Sequence, residues 1–237
     1  MNHNISGNVL FLILIAVALF AALSYAVTSS SRVGGAGVTK ENNRISGAEV
    51  IQYATQLEQT VTRLRVINNC SVTQLSFERA PFDGSDTLYL NSNAPGDFGC
   101  HIFHPAGGAQ PYRDMSPSSW RGDGQLFTIH NRIDGVGCDQ AADSGCYELL
   151  FLIELEEEIC LEINKRLNML NSDGSLPEDD ASMVASSFQG QSTIVPTGNA
   201  ISDLSAEQKL FAKYNGCINI TVLAHAGPKY YHVLIGR

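Results

Sequence analysis

An apolar run near the N-terminus, residues 9–27, is the strongest pattern in the chain. Its polar groups are the hydroxyls of Ser24 and Tyr25, and twelve of its nineteen residues are Leu, Ile, Val or Phe. At 1.5 Å per residue, a helix of this length extends about 28 Å, close to the roughly 30 Å of a bilayer's hydrocarbon core. The run therefore predicts a membrane-length helix that inserts spontaneously.

A glycine-rich segment follows the apolar run. Residues 28–42 contain Gly34, Gly35 and Gly37. Each glycine costs a helix about 1 kcal/mol relative to alanine, so we expect a break or hinge here. A second helix is expected over residues 43–68, because its apolar residues recur every three or four positions and form one stripe. The stripe consists of Val50, Ala54, Leu57, Val61, Leu64 and Ile67. It suits packing on a sheet, or a seam between subunits of an assembly.

The pattern changes to short β-rich runs and turns between residues 71 and 154. The expected strands are residues 72–77, 87–90, 100–103, 126–133 and 147–154. The nearly continuous apolar centre of the last run predicts a strand that is buried on both faces. We expect these strands to form an antiparallel sheet.

The C-terminal third is expected to complete that sheet. An amphipathic helix over residues 155–170 begins with glutamates and ends with Lys165 and Arg166, an order that complements the helix dipole. The elements expected after it are a long loop at 171–204 with a short strand at 193–195, a short helix at 205–214, and a hairpin formed by 217–223 and 230–235. The fold class is therefore α+β, with a long N-terminal hydrophobic helix continuing to an amphipathic helix packed on an antiparallel β-sheet.

Charge and cysteine content narrow the possible functions. The net charge is −9, the sequence pI is near 5.0, and the basic residues are scattered, which argues against nucleic-acid binding. Six cysteines, all beyond the apolar run, suggest disulfides in an exported, disulfide-tied domain. The candidates are Cys70, Cys100, Cys138, Cys146, Cys160 and Cys217. Fifteen pairings exist, and the local pair Cys138 and Cys146 is the first we would draw.

Catalytic motifs are missing from the sequence. It contains no GxSxG nucleophile elbow, no HExxH, no CxxC and no phosphate-binding loop, so we expect no enzyme and no organic cofactor. His101 and His104 would point to opposite faces of a strand and would not share a metal. Hard oxygen ligands for calcium occur at Asp173, Glu178, Asp179 and Asp180, although acidic loops are usually only solvated.

The N-terminal head resembles the leader of the type IV pilin and pseudopilin families. The head MNHNISG has no Lys or Arg and ends at Gly7, and the apolar run begins almost at once after Asn8. The resemblance implies that a prepilin peptidase cuts between Gly7 and Asn8 and leaves the helix on the mature protein. The first residues of that helix, Val9, Phe11, Leu12 and Leu14, would then pack in the filament core.

Leu12 indicates which kind of pilin-like subunit the resemblance implies. Most pilins carry glutamate at this fifth mature position, and an unpaired carboxylate in lipid is costly, so its replacement by leucine implies a subunit that offers no such charge. The resemblance thus implies a minor or tip subunit of a type IV pilus-like filament or secretion pseudopilus. Some pseudopilins are also similar in carrying calcium on late loops.

The resemblance also implies a domain organisation, a location and partners. Residues 1–7 would be the leader, 8–27 the transmembrane and filament-core helix, 28–42 the hinge and 43–237 the exported domain. The precursor would lie in the bacterial inner membrane with its domain in the periplasm, and later in a filament at the cell surface among other pilin-like subunits. The alternative is an exported binding protein or hydrolase whose helix is a signal, cut after Ala26 in Ser24-Tyr25-Ala26, or a permanent anchor.

Overall fold

The computed structural model describes residues 6–115, 125–129, 131–137, 148–180, 186–190, 200–202, 207–222 and 226–236. The first helix, α1, runs from Ser6 to Ile67, and the side chains described in it are those of residues 11–25 and 37–67. The chain divides into two compact units, Met1–Ile45 and Ser46–Arg237. We call the second of these the globular unit.

Helix α1 has no break in the glycine-rich segment. All of residues 28–42 are helical, so the expected break between two helices is wrong, whereas a hinge at this segment stays a prediction. The glycines weaken the helix by about 1 kcal/mol each, whereas a break would require a second, costly nucleation event. Continuing an existing helix through three weak positions is therefore the favourable outcome.

The apolar stripe of α1 is buried in the globular unit. Val50, Ala54, Leu57, Val61 and Leu64 are at most 2% exposed, which confirms the stripe over five of its six positions. Ile67 was predicted to belong to it but is 73% exposed, because α1 ends at this residue beyond the core. Tyr53, which the stripe omitted, is buried and packs edge-on against Phe151 at 5.9 Å between ring centroids.

The strands form a mixed sheet with a smaller one beside it. They are β1 (Gln125–Thr128), β2 (Arg132–Ile133), β3 (Glu148–Glu154), β4 (Glu178–Asp179), β5 (Ala200–Ile201), β6 (Asn215–Ile220) and β7 (Gly227–Gly236). The main sheet has the order β1-β3-β7-β6-β4, and β2 pairs with β5 in parallel. Three pairings of the main sheet are antiparallel, but β4 runs parallel to β6, so a wholly antiparallel sheet was a wrong expectation. The long connection between β4 and β6 permits this parallel pairing.

Strand β3 lies at the centre of two cores. Leu149, Phe151 and Ile153 face a core shared with the stripe of α1, whereas Leu150 and Leu152 face a second core on the other side of the sheet. All five side chains are 0% exposed, which confirms the prediction of a strand buried on both faces. The predicted C-terminal hairpin is also confirmed, as β6 and β7 pair antiparallel.

Helix α2 spans Glu157–Leu167, within the predicted segment, and has the predicted acidic start and basic end. It is held on β6 in two ways. A disulfide joins Cys160 to Cys217, and the buried Asn164 amide donates to the Cys217 carbonyl and accepts from the Cys217 N–H, both at 2.8 Å. Gly47 of α1 lies so close to Ile163 that a Cβ there would be 2.9 Å from its Cγ1.

Three predicted strands are turns in the structure. Residues 72–74 form a 3₁₀ helix, 87–90 form a turn, and around 100–103 the only ladder contact in the described residues is a bridge between Ser76 and His101. Hydrogen bonds within turns and hydrogen bonds from side chains satisfy the backbone there instead of a continuous neighbouring strand. The Asn91 amide, for example, donates to the carbonyls of Thr73 and Leu75.

Other predicted bounds also change. The run 126–133 divides into β1 and β2, and β4 and β5 lie inside the predicted loop 171–204. In place of the short helix predicted at 205–214, residues 207–214 form turns, because Gln208 and Ala212 have positive φ values of 45° and 57°. The strand predicted at 193–195 and the pair Cys138 and Cys146 lie outside the described residues. The second disulfide that the structure describes is Cys70–Cys100.

Candidate functional site: an exposed apolar segment of α1

The N-terminal part of α1 exposes a continuous run of apolar side chains. Every residue of 11–25, which we call the apolar segment, is exposed. Exposure of its large side chains ranges from 40% at Ile15 to 78% at Tyr25. These side chains are Phe11, Leu12, Ile13, Leu14, Ile15, Val17, Leu19, Phe20, Leu23 and Tyr25.

The apolar segment has a chemistry suited to packing alone. It contains no charged residue, and its consecutive apolar residues point in all directions around the helix. A helix that is apolar on all sides is normally buried, in a protein core or in a membrane. Fully burying a Leu, Ile, Val or Phe side chain is worth about 1.5–3 kcal/mol. A partner that covers several of these residues would therefore gain much more than a typical single contact provides.

The residues predicted for processing and packing all lie in this part of the chain. Gly7, Asn8 and Val9 are helical, and α1 begins just before them at Ser6. The packing candidates Phe11, Leu12 and Leu14 belong to the apolar segment and are 61%, 59% and 60% exposed. Among the residues that the structure describes, no helix is both long enough and apolar enough to cross a membrane.

An arginine–aspartate pair stabilises the turns of the globular unit. Arg79 donates from Nε and Nη2 to both carboxylate oxygens of Asp86, at 2.7 and 2.8 Å. Its guanidinium lies between the rings of Tyr89 and Tyr112, 5.2 and 5.5 Å from their centroids. Burial raises the pKa of Asp86, but the hydrogen bonds and the charge of Arg79 outweigh it, and the net pKa is lowered. The pair lines a cleft of about 510 Å³. Both carboxylate oxygens of Asp86 already accept hydrogen bonds from Arg79, so the main role of the pair is to stabilise the turn.

A chain of three polar side chains connects α1 to the sheet. Oε2 of Glu58 on α1 lies 2.8 Å from Nε2 of His232 on β7, and Nδ1 of His232 lies 3.0 Å from the hydroxyl of Tyr230. Glu58 is half-exposed, whereas His232 and Tyr230 are buried. Burial lowers the pKa of His232, and Glu58 offsets this only in part. Burial also raises the pKa of Tyr230.

The histidines at 101 and 104 differ from the prediction. His101 forms an isolated bridge with Ser76 and His104 lies in a bend, so no strand contains both residues. Their ring centroids are 6.4 Å apart, and placing them on opposite faces of a strand was wrong. His101 is buried beside Glu78, with 3.4 Å between Nε2 and Oε2, and burial lowers its pKa. His104 stacks on Phe98. Their surroundings are those of packed aromatic residues.

Three of the four calcium candidates accept hydrogen bonds from other residues of the chain. Asp173 accepts from the N–H and hydroxyl of Ser175, and Glu178 accepts from the Asn219 amide. Asp179 is buried and accepts from the N–H of Ser202, whereas Asp180 is exposed. Within the described parts of the chain, no three His, Cys, Asp or Glu residues gather in a group that could hold a metal ion. Calcium binding stays a prediction from the sequence.

Sequence reasoning missed the polar contacts of the globular unit. The partner of His232, Glu58, lies 174 residues away in sequence, so no local pattern identifies this partner. Lys229 was given no role, but it is fully buried on β7 with its Nζ 3.5 Å from Oε2 of Glu154. The sequence of β7 gave a weak indication of these contacts, since Lys229 and His232 interrupt an otherwise apolar strand.

Comparison of the chain with protein-family models, with curated proteins and with solved structures gives no match.

Proposed function

We propose that this protein is a structural subunit of a helical assembly, and that the apolar segment of α1 packs against the helices of neighbouring subunits. The sharper form of the proposal is a minor or tip subunit of a type IV pilus-like filament or secretion pseudopilus. Its precursor would wait in the bacterial inner membrane, held by the apolar run 9–27, with the globular unit in the periplasm. A prepilin peptidase would cut after Gly7.

The observation that supports this proposal most directly is the exposure of the apolar segment. Side chains such as Phe20 and Leu23, 72% and 66% exposed, need an apolar environment that the described contacts of this chain do not provide. Neighbouring helices of the same character would provide it in a filament, and lipid would provide it beforehand. The globular unit instead has a complete core of its own.

Leu12 supports the minor or tip position. It is 59% exposed and brings no charge to the segment. A carboxylate at this depth would need a cationic partner on a neighbour to compensate its cost in lipid. Leucine needs none, so this subunit can occupy a place where a neighbour is absent on one side.

Photo-crosslinking in cells tests the proposal. A photoreactive residue at Leu19, 66% exposed in the apolar segment, should crosslink to other helical subunits of an assembly. The same probe at Ser175, an exposed loop residue of the globular unit, is the matched control and should give few such products. Crosslinks from Leu19 to lipid alone, after assembly has been induced, would contradict the proposal.

The second candidate is an exported binding protein or hydrolase with a signal or anchor helix. The observation that favours it is the disulfide-tied globular unit with its cleft of about 510 Å³ beside Arg79 and Tyr112. For this candidate, removal of residues 1–27 should leave activity intact. For the assembly subunit, the same removal should abolish incorporation.

A further inference from the structure

Helix α1 is fastened to the central sheet by an ordered set of polar groups. The set runs inward from the half-exposed carboxylate of Glu58, through the buried ring of His232, to the fully buried hydroxyl of Tyr230. Both contacts, 2.8 and 3.0 Å, lie within hydrogen-bond distance. We call these three residues the α1–β7 relay. It lies within the globular unit and touches the same helix that carries the apolar stripe.

The relay is fully hydrogen-bonded when the imidazole is neutral. With its proton on Nε2, His232 donates to Glu58, and its Nδ1 accepts the proton of the Tyr230 hydroxyl. Each donor then has an acceptor. The arrangement leaves no buried polar atom of His232 without a partner, which is the condition for such groups to be tolerated in a core.

Protonation of His232 removes this pairing of each donor with an acceptor. The imidazolium carries hydrogens on both nitrogens, so Nδ1 must donate to the Tyr230 oxygen. The tyrosine proton then has to turn away from the ring into a 0% exposed environment. A charged imidazolium at a 3% exposed position adds a desolvation cost, against which the Glu58 carboxylate gives partial compensation.

Few other charges act on the ring. Across the sheet, His232 is opposite Phe151 on β3 and Asn215 on β6, which do not titrate. From α1, Glu58 is the charged group that contacts it, and from β7 it is joined by Tyr230. Among the described residues, Glu58 is the charged group whose field acts on both His232 and Tyr230.

We propose that the α1–β7 relay is a pH-sensitive joint that holds α1 on the sheet at neutral pH and loosens it in mild acid. The globular unit would then bind α1 most firmly near neutrality, and α1 would gain freedom around Glu58 when His232 takes up a proton. This joint goes beyond the assembly role and does not depend on it.

The direction of the effect follows from linkage. Burial lowers the pKa of His232 in the folded protein, with Glu58 opposing, so the folded chain binds this proton less readily than the unfolded chain does. The stabilisation is therefore complete above about pH 6.5, the ordinary histidine value, and is lost as the pH falls toward the lowered value. When local opening is linked to the uptake of one proton, the hydrogen-exchange protection of the affected amides can change by at most about tenfold per pH unit.

Hydrogen exchange on the full chain in detergent micelles tests the joint. Between pH 7 and pH 5, after correction for intrinsic rates, the protection of α1 amides near Glu58 should fall by up to about tenfold per pH unit. His232→Gln is the decisive variant, because its amide can donate to Glu58 and accept from Tyr230 but does not titrate. It should lose most of this pH dependence. The same pH dependence in His232→Gln as in the wild type would overturn the proposal.

Two further variants provide a second test of the joint and a control. Glu58→Gln keeps an acceptor for Nε2 but removes the charge that favours imidazolium, so the loss of protection should move to lower pH, and no movement would count against the joint. This readout remains if His232→Gln does not fold. His104→Gln, a change at a partly exposed histidine stacked on Phe98, is the control and should retain the wild-type profile. Neither His232→Gln nor Glu58→Gln changes His101 or its neighbour His104, so the titration of His101 cancels when these two variants are compared with the wild type.

Discussion

Two parts of helix α1 differ both in the arrangement of their apolar residues and in their surroundings. In the apolar segment, residues 11–25, apolar side chains point in all directions and all are exposed. From Val50 to Leu64, apolar residues occupy one stripe, which is buried against β3, and polar residues occupy the rest. The period of the pattern therefore distinguishes a face that this chain covers itself from a surface that requires something else to cover it.

The largest expected effect comes from one substitution made in both parts. Leu57→Ala removes a 0% exposed side chain from the stripe and should lower the free energy of unfolding of the globular unit by about 2–5 kcal/mol. Leu19→Ala removes the same atoms from a 66% exposed position and should change that free energy by less than about 0.5 kcal/mol. Urea unfolding of the full chain in detergent micelles, followed by tyrosine fluorescence, measures both.

Equal effects of the two substitutions would remove the distinction between the two parts. If Leu19→Ala destabilised the globular unit as much as Leu57→Ala, the apolar segment would contribute to the core of this chain. Its exposure could then not support a role in assembly.

The next effect concerns the disulfide that holds α2 on the sheet of the globular unit. Replacing Cys160 and Cys217 together by alanine should cost about 2–4 kcal/mol, because the disulfide closes a loop of 57 residues and holds α2 on β6. A lower urea midpoint is the expected measurement, together with a steeper slope, because the unfolded chain exposes more surface without the crosslink. Asn164 would still hold α2, so the double variant should remain folded, and complete loss of near-ultraviolet circular dichroism would show that this is wrong.

The smallest effect concerns the glycine-rich segment between the two parts. Gly37 is helical, and a Cβ built on it meets nothing within 4 Å, so Gly37→Ala should stabilise α1 by up to about 1 kcal/mol. Slower amide exchange around residue 37 would confirm a continuous helix. Faster exchange there would indicate that this position needs a non-helical conformation.

The elements that the sequence predicted well are those with a simple local pattern. Strand β3 has five consecutive apolar residues from Leu149 to Ile153, and α2 has an acidic start and a basic end. Both patterns reflect burial and helix electrostatics, which act over a few residues. The apolar run was an equally clear pattern and lies within α1, but no helix of the described residues is long and apolar enough to cross a membrane, so the membrane-length helix stays a prediction.

The elements that were missed depend on partners far apart in the chain. Strand-like composition was found in residues 72–77, 87–90 and 100–103, but hydrogen bonds of the Asn91 amide and of the Arg79–Asp86 pair stabilise turns in this region instead. A helix was predicted at 205–214, but positive φ at Gln208 and Ala212 prevents it. The contact between Glu58 and His232 spans 174 residues, and no local pattern announces such a pair. The pairing of Cys160 with Cys217 was likewise one of many possibilities.

The most direct test of the central claim, that the apolar helix stays on the mature protein and joins it to an assembly, is N-terminal sequencing of the protein purified from assembled material. The account predicts a first residue of Asn8, produced by cleavage after Gly7. A first residue of Val27 would mean that the apolar segment had been removed, and an intact Met1 would mean that the helix is an unprocessed anchor. Either of these two results would contradict the account.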